Sequence, residues 1–156
     1  MDNSYLELHC HTNYSFQEGA STISELLNRA KQIGYIGLGL TDHDNLCAAM
    51  EFAELAKIFD LKSIIGAEIS LEGGTHITLL ASNKKGYSNL CKLISLQYFK
   101  KEKDEPELSK NHFYQYSDGL LLLTGCNNSE LTKLFFANQI NSMHKTLKEN
   151  LFFIYK

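Results

Sequence analysis

Hydrophobic positions along this chain switch between two spacings, and the switches outline a run of short strands and helices. Tyr5, Leu6 and Leu8 open as a strand whose side chains alternate between two faces. Ser21-Thr22-Ile23-Ser24-Glu25 then carries the mark of a helix start, with Thr22 and Glu25 at capping-box spacing. Ile23, Leu26, Leu27, Ala30 and Ile33 follow on one helical face, and Gly34 is placed to stop the helix. Ile36-Gly37-Leu38-Gly39-Leu40 is almost continuously apolar, which suits a strand buried on both faces. A second helix is predicted from about Leu46 to Phe59, turning Ala49, Phe52, Ala53 and Ala56 inward, with Met50 at the margin. Ser63 to Gly66 reads as a strand and, after Glu72-Gly73-Gly74, His76 to Ala81 as another.

The second half continues the alternation. A helix is predicted from about Tyr87 to Phe99, with Leu90, Leu93, Ile94 and Gln97 along one side. Lys100 to Lys110 is charged, holds the sole proline, Pro106, and reads as a solvated connection. Leu120 to Gly125 is predicted as a buried strand, Glu130 to Lys148 as helical, and the apolar run Leu151 to Tyr155 as a final buried strand. Strands alternating with helices give an α/β class with mostly parallel strands, in an open sheet or a barrel. A buried strand with only Lys156 after it predicts association with another molecule, or a natural domain that continues.

Composition narrows the class. The 156 residues are 44% hydrophobic and 21% charged, as expected of one soluble globular domain. No apolar run approaches the roughly 18–20 residues that span a bilayer. The start of the chain lacks the basic flank and apolar stretch of a signal peptide, so the expectation is a cytoplasmic protein with no membrane partner. Cys10, Cys47, Cys91 and Cys126 show no Cys-x-x-Cys spacing; neither a disulfide framework nor a zinc ribbon follows, and most should be small buried hydrophobes. A net charge of −3 argues against a strong grip on nucleic-acid phosphates by this piece alone.

Candidate chemistry begins at His9 and His11. On a strand they point the same way, about 7 Å apart, a geometry suited to one metal ion or two neighbouring ions. Further polar groups follow the predicted buried strands: Thr41-Asp42-His43-Asp44 after Leu40, Glu68 after Ile65-Gly66-Ala67, and Cys126 after Leu123-Thr124-Gly125. In parallel α/β folds the C-terminal strand ends converge on one rim, where ligands gather. Imidazole with carboxylate suits zinc, manganese or iron, and a thiolate shifts preference toward zinc. Taken singly, each residue has a plainer reading. His43 could cap a helix or lie exposed, and Asp42 or Asp44 is an equally good N-cap. Glu68 could pair with a lysine, and Cys126 alone is more often a core residue. His112 and His144 sit in polar segments and receive no role. It is the joint occurrence at successive strand ends that points to a metal site for hydrolysis.

These residues also resemble a known family. His9-Cys10-His11-Thr12-Asn13-Tyr14-Ser15, Thr41-Asp42-His43 and Gly66-Ala67-Glu68 are similar to the motifs of the PHP (polymerase and histidinol phosphatase) domain. Gly86 to Ser95 and Asp118 through Cys126 are similar to the N-terminal PHP domain of bacterial DNA polymerase III alpha subunits, replicative or error-prone. The resemblance implies an incomplete, distorted (β/α)7 barrel with up to three divalent metal ions. It assigns His9, His11, His43, Glu68, His76 and Cys126 as ligands, with Glu18 where the family usually has Asp. Asp42 would orient a ligand histidine and, with His43, serve catalysis. A tight two-residue turn at Gly73-Gly74 would put His76 on the face opposite Glu68, so both can bind metal only across a longer or bulged connection. The family's final Asp-x-His pair lies beyond a strand resembling Leu151 to Tyr155, which makes residues 1–156 a C-terminally truncated PHP domain. The polymerase palm is likewise absent from this sequence, so no nucleotide addition is expected of the chain alone. The implied activity is metal-dependent phosphoester hydrolysis, as a 3′–5′ exonuclease on DNA. The implied partners are DNA or another phosphoester substrate and the remainder of the alpha subunit. The alternatives are a non-catalytic metal-binding module for polymerase assembly and, less favoured by Gly86 to Ser95, a free-standing enzyme of histidinol-phosphatase type.

Overall fold

A computed structural model of the chain describes residues 5–99, 107–124 and 127–154. The fold is α/β, and chain contacts divide it into two compact units, residues 1–67 and 68–156.

The first unit holds β1 (Leu6–Cys10), α1 (Ile23–Gln32), β2 (Gly37–Leu40), α2 (Ala49–Ile58) and the start of β3 (Lys62–Leu71). β1 pairs with β2 and β2 with β3, both in parallel. Leu38 and Leu40 of β2 pack with Ile23, Leu27 and Ala30 of α1 and with Phe52 and Ala56 of α2. Burying a side chain the size of Leu27 or Phe52, both essentially inaccessible, contributes roughly 1.5–3 kcal/mol. The small residue on the other face of β2 has a steric cause, because a Cβ at Gly39 would sit 2.8 Å from the Leu8 carbonyl oxygen.

Helix α1 begins as its sequence predicts. The Thr22 hydroxyl accepts from the Glu25 amide at 3.3 Å, and the Glu25 carboxylate accepts from the Thr22 amide at 2.8 Å. The Thr22 backbone N–H and hydroxyl hold the Glu25 carboxyl below its ordinary range. Thr22→Ala is expected to cost about 1 kcal/mol in urea unfolding at neutral pH. Because the folded-state value is the lowered one, this part of the cap is present above the ordinary carboxylate range and fades as pH falls through the lowered value. The gap between wild type and variant should therefore narrow in acid. Gly34, at φ +83°, ends the helix. Ile33, predicted on the inner face, is 45% exposed because it is the C-cap of α1, and Met50, placed at the margin of its helix, is 68% exposed.

The second unit contains the rest of β3, then β4 (Thr75–Ala81), α3 (Lys84–Phe99), α4 (Lys110–Gln115), β5 (Leu120–Leu123), α5 (Glu130–Phe136) and α6 (Ile140–Ile154). β4 lies beside β3 and pairs with β5 in antiparallel register, Thr78 opposite Leu123 and Ala81 opposite Leu120. Leu90, Leu93 and Gln97 are the buried stripe of α3. Gly86 meets the loop before β5 so closely that a Cβ there would lie 1.8 Å from the Gly119 carbonyl oxygen.

Several sequence expectations change here. Leu151 to Ile154 are the last turn of α6, not a strand, because Ile140, Met143, Leu147, Leu151 and Ile154 continue a helical period from the preceding segment. Tyr155 lies outside the described residues. Within the predicted solvated connection, Leu108 is buried; its amide donates to the Ser70 carbonyl and its carbonyl accepts from the Glu72 amide. β5 is only partly buried, with Leu121 half exposed. The predicted helical stretch from Glu130 is two helices separated at Asn138, whose φ is +55°. Cys47 is exposed, while Cys10 and Cys91 are half-buried. Among the described residues no helix is long and apolar enough to cross a membrane.

Candidate metal centre

The first unit assembles its histidines at the end of β1 and in the segment after β2. β1 does not run evenly: Glu7 opposes Leu38 and Cys10 opposes Leu40, so one extra residue is accommodated between them. The Glu7 carboxylate accepts from the Leu8 and His9 amides at 3.0 and 3.1 Å across this irregularity. Such bulges re-aim side chains. Here the His9 and His11 rings stand edge to face with centroids 5.2 Å apart, closer than even alternation predicts. Cys10 turns the other way and packs against the core. Burial, reinforced by Glu7 and Asp42, pushes its thiol up to about 11, so it is protonated at neutral pH.

His43 stacks against His11 with ring centroids 6.4 Å apart. Glu18 faces both rings: its Oε2 lies 3.7 Å from His11 Nδ1 and 3.5 Å from His43 Nδ1. These separations exceed the usual 2.7–3.2 Å of an N–H···O bond. Taken pair by pair, each is close to the edge of a tetrahedral metal site, roughly 3.4 Å when each donor is about 2.1 Å from the ion. A donor set of imidazoles and one carboxylate suits a divalent ion in its chemistry.

Asp42 organises this centre without touching an imidazole. Its carboxylate is buried and accepts from the Thr12 amide at 2.7 Å, the Thr12 hydroxyl at 2.8 Å and the Ser15 hydroxyl at 2.6 Å. Ser15 Oγ in turn accepts from the His43 amide at 3.0 Å. Sequence reasoning gave Asp42 the task of orienting a ligand histidine; its link to His43 runs through Ser15 to the backbone, while the carboxylates of Glu18 and Asp44 lie nearest the ring, at 3.5 and 3.7 Å. Asp44 is buried and left-handed, at φ +54°. Neither aspartate caps α2, whose N-cap position is Ala48. Thr12 and Ser15, both about 1% exposed, received no role from the sequence. Their nearness to the histidine motif was the one available signal.

The second unit places Glu68 and His76 together. Glu68 is 3% exposed, and its Oε1 lies 2.9 Å from His76 Nδ1. The turn between β3 and β4 spans three residues, Glu72 to Gly74, with Gly73 and Gly74 at φ +93° and +70°. One residue beyond a two-residue turn inverts the facing of everything that follows, which brings His76 onto the face of Glu68. Metal-bound histidines commonly give one nitrogen to a carboxylate, and here Glu68 engages His76 Nδ1. Cys126 lies outside the described residues. His112 is half-buried in α4 beside the Ser109 hydroxyl, and His144 is exposed on α6.

The profile of the PHP domain matches residues 7–156. This chain belongs to the PHP domain family. PHP relatives include an error-prone DNA polymerase of Pseudomonas fluorescens, 40% identical over 79% of this chain and 12% of that protein. A DNA polymerase III subunit alpha of Borreliella burgdorferi is 33% identical over 86% of this chain and 13% of the relative. The chain therefore spans about an eighth of the curated relatives it matches. Among solved structures, a Bifidobacterium adolescentis protein provisionally assigned as a metal-dependent phosphoesterase is similar at a TM-score of 0.47 and 19% identity, covering 73% of this chain and 49% of that one.

Proposed function

We propose that this PHP domain is a metal-dependent phosphoesterase of DNA polymerase III alpha type, acting as a 3′–5′ exonuclease on DNA and working with the remainder of such a subunit. The observation that carries the reading is the approach of Glu18 Oε2 to both His11 Nδ1 and His43 Nδ1, at 3.7 and 3.5 Å. His9, His11, Glu18 and His43 would hold zinc, manganese or iron in the first unit, with Glu68, His76 and Cys126 as the ligands of the second. A divalent ion there supplies Lewis acidity toward a phosphoryl oxygen and makes water nucleophilic near neutral pH. The chain's own residues do the positioning. His43 turns Nδ1 toward Glu18 and Nε2 toward Asp44, whose Oδ2 lies 3.7 Å away. Asp42 holds the Thr12–Ser15 segment, and through Ser15 the backbone of His43.

The test combines metal content with turnover. The purified protein is expected to carry zinc, manganese or iron and, with added manganese, to shorten single-stranded DNA from its 3′ end. His9→Ala and His11→Ala should each lower the rate by about two orders of magnitude while leaving the fold intact by circular dichroism. A folded protein that binds none of these metals would overturn the proposal. Bound metal with no turnover on single-stranded DNA, histidinol phosphate or a simple phosphodiester would select a structural module for polymerase assembly. Turnover of histidinol phosphate alone would select the small-molecule phosphatase.

A further inference from the structure

Phe16 sits at the tip of the turn that delivers Glu18, and it is 87% exposed. The Ser15 carbonyl accepts from the Glu18 amide at 3.0 Å and the Gly19 amide at 2.8 Å. Gln17 takes the left-handed position of this turn at φ +68°, a conformation that favours glycine or asparagine and persists where the surroundings enforce it. The turn is anchored from beneath by the buried Ser15–Asp42 bond, so Phe16 is held outward rather than left to wander. Tyr14, on the other side of Ser15, is 42% exposed and tethered through its hydroxyl to Glu51 at 3.4 Å.

The surroundings decide what such a ring is for. Asn13, Gln17 and Glu18 are exposed polar neighbours, so Phe16 and the partly exposed Tyr14 stand among polar residues rather than in a long apolar stretch of the kind that protein docking uses. A flat aromatic face one residue removed from a metal-ligand candidate suits a nucleobase whose phosphate is at that ligand. The net charge of −3 gives little electrostatic hold on a long strand, which leaves recognition to the terminal nucleotide. We propose that Phe16 is the stacking platform for the terminal nucleobase of the substrate, which makes the substrate class nucleotide ends rather than sugar or amino-alcohol phosphates. This rests on the phosphoesterase reading above.

Calorimetric titration of the manganese-loaded protein with thymidine 5′-monophosphate and with 2-deoxyribose 5-phosphate separates base from phosphate. Wild type should bind the nucleotide about tenfold more tightly than the sugar phosphate. Phe16→Ala should remove that preference while its manganese content stays at the wild-type level, and Phe16→Leu, which keeps apolar bulk without a π face, should retain only a small part of it. Equal binding of the two ligands by wild type, or an unchanged preference in Phe16→Ala, would overturn the stacking role and leave the metal-and-phosphate reading standing. Failure of both ligands to bind wild type would overturn both.

Discussion

Asp42→Ala is expected to remove a large share of the protein's stability and to abolish metal binding in the first unit. The carboxylate it deletes satisfies three buried donors: the Thr12 amide, the Thr12 hydroxyl and the Ser15 hydroxyl. Hydrogen bonds to a charged group are each worth about 1.5–3 kcal/mol, and they do not add fully when they share a partner. A loss of about 4 kcal/mol is therefore expected, a large share of the 5–15 kcal/mol that a typical domain has. Asp42→Asn keeps the shape and should cost much less, about 1–2 kcal/mol. Its oxygen can still accept from the Thr12 amide and Ser15, while its NH2 can donate to the Thr12 hydroxyl, which then accepts. Urea unfolding of chelator-treated protein reads the stability free of metal linkage, and mass spectrometry of the untreated protein reads metal content. Equal effects of Ala and Asn, or a loss below about 1 kcal/mol for Ala, would mean that the clasp does not organise the loop.

The same contrast between near and distant relations governs how much was legible in the sequence. The start of α1 was readable because the Thr22–Glu25 cap is a local exchange of hydrogen bonds. The shared facing of His9 and His11 was readable from strand periodicity, but their closer approach was not, since it comes from an irregular register against β2. Parity explains His76: one residue in the turn length decides its face, and Glu72-Gly73-Gly74 allows either length. Asp42 was recognised by its motif, but its route to His43 through Ser15 was not readable. That Asp44 also faces the His43 ring goes with its left-handed backbone, and nothing local in Thr41-Asp42-His43-Asp44 marks it. Leu151 to Ile154 were read as a short apolar run, whereas the helical period set from Ile140 prevails. Leu108 looked like part of a charged connection because its burial depends on pairing beside Leu71, far off in sequence.

Gly19→Ala should disconnect Glu18 from His11 and His43. The added Cβ would stand 1.9 Å from the Thr12 carbonyl oxygen and 2.6 Å from its carbon, and both are backbone atoms that no rotamer change can move aside. Nor can Thr12 retreat, because its amide and hydroxyl are fixed to buried Asp42. The segment that yields is then the turn from Ser15 to Gly19, the one that carries Glu18. A destabilisation of about 3 kcal/mol is expected, at the upper end for overpacking, together with a fall of at least about tenfold in manganese affinity. Gly34→Ala is the matched control, since Gly34 has positive φ but nothing within 4 Å of the added Cβ. It should cost only the left-handed penalty, about 1–2 kcal/mol, and leave metal affinity unchanged. Glu18→Gln separates ligand loss from backbone damage: it should reproduce the affinity defect of Gly19→Ala with little of its destabilisation. Glu18→Asp restores the carboxylate usual to the family on an arm shorter by one methylene, and should hold metal far better than Glu18→Gln if a carboxylate is what this position supplies. Wild-type manganese affinity in both Gly19→Ala and Glu18→Gln would remove Glu18 from the ligand set, leaving the histidines to bind without it.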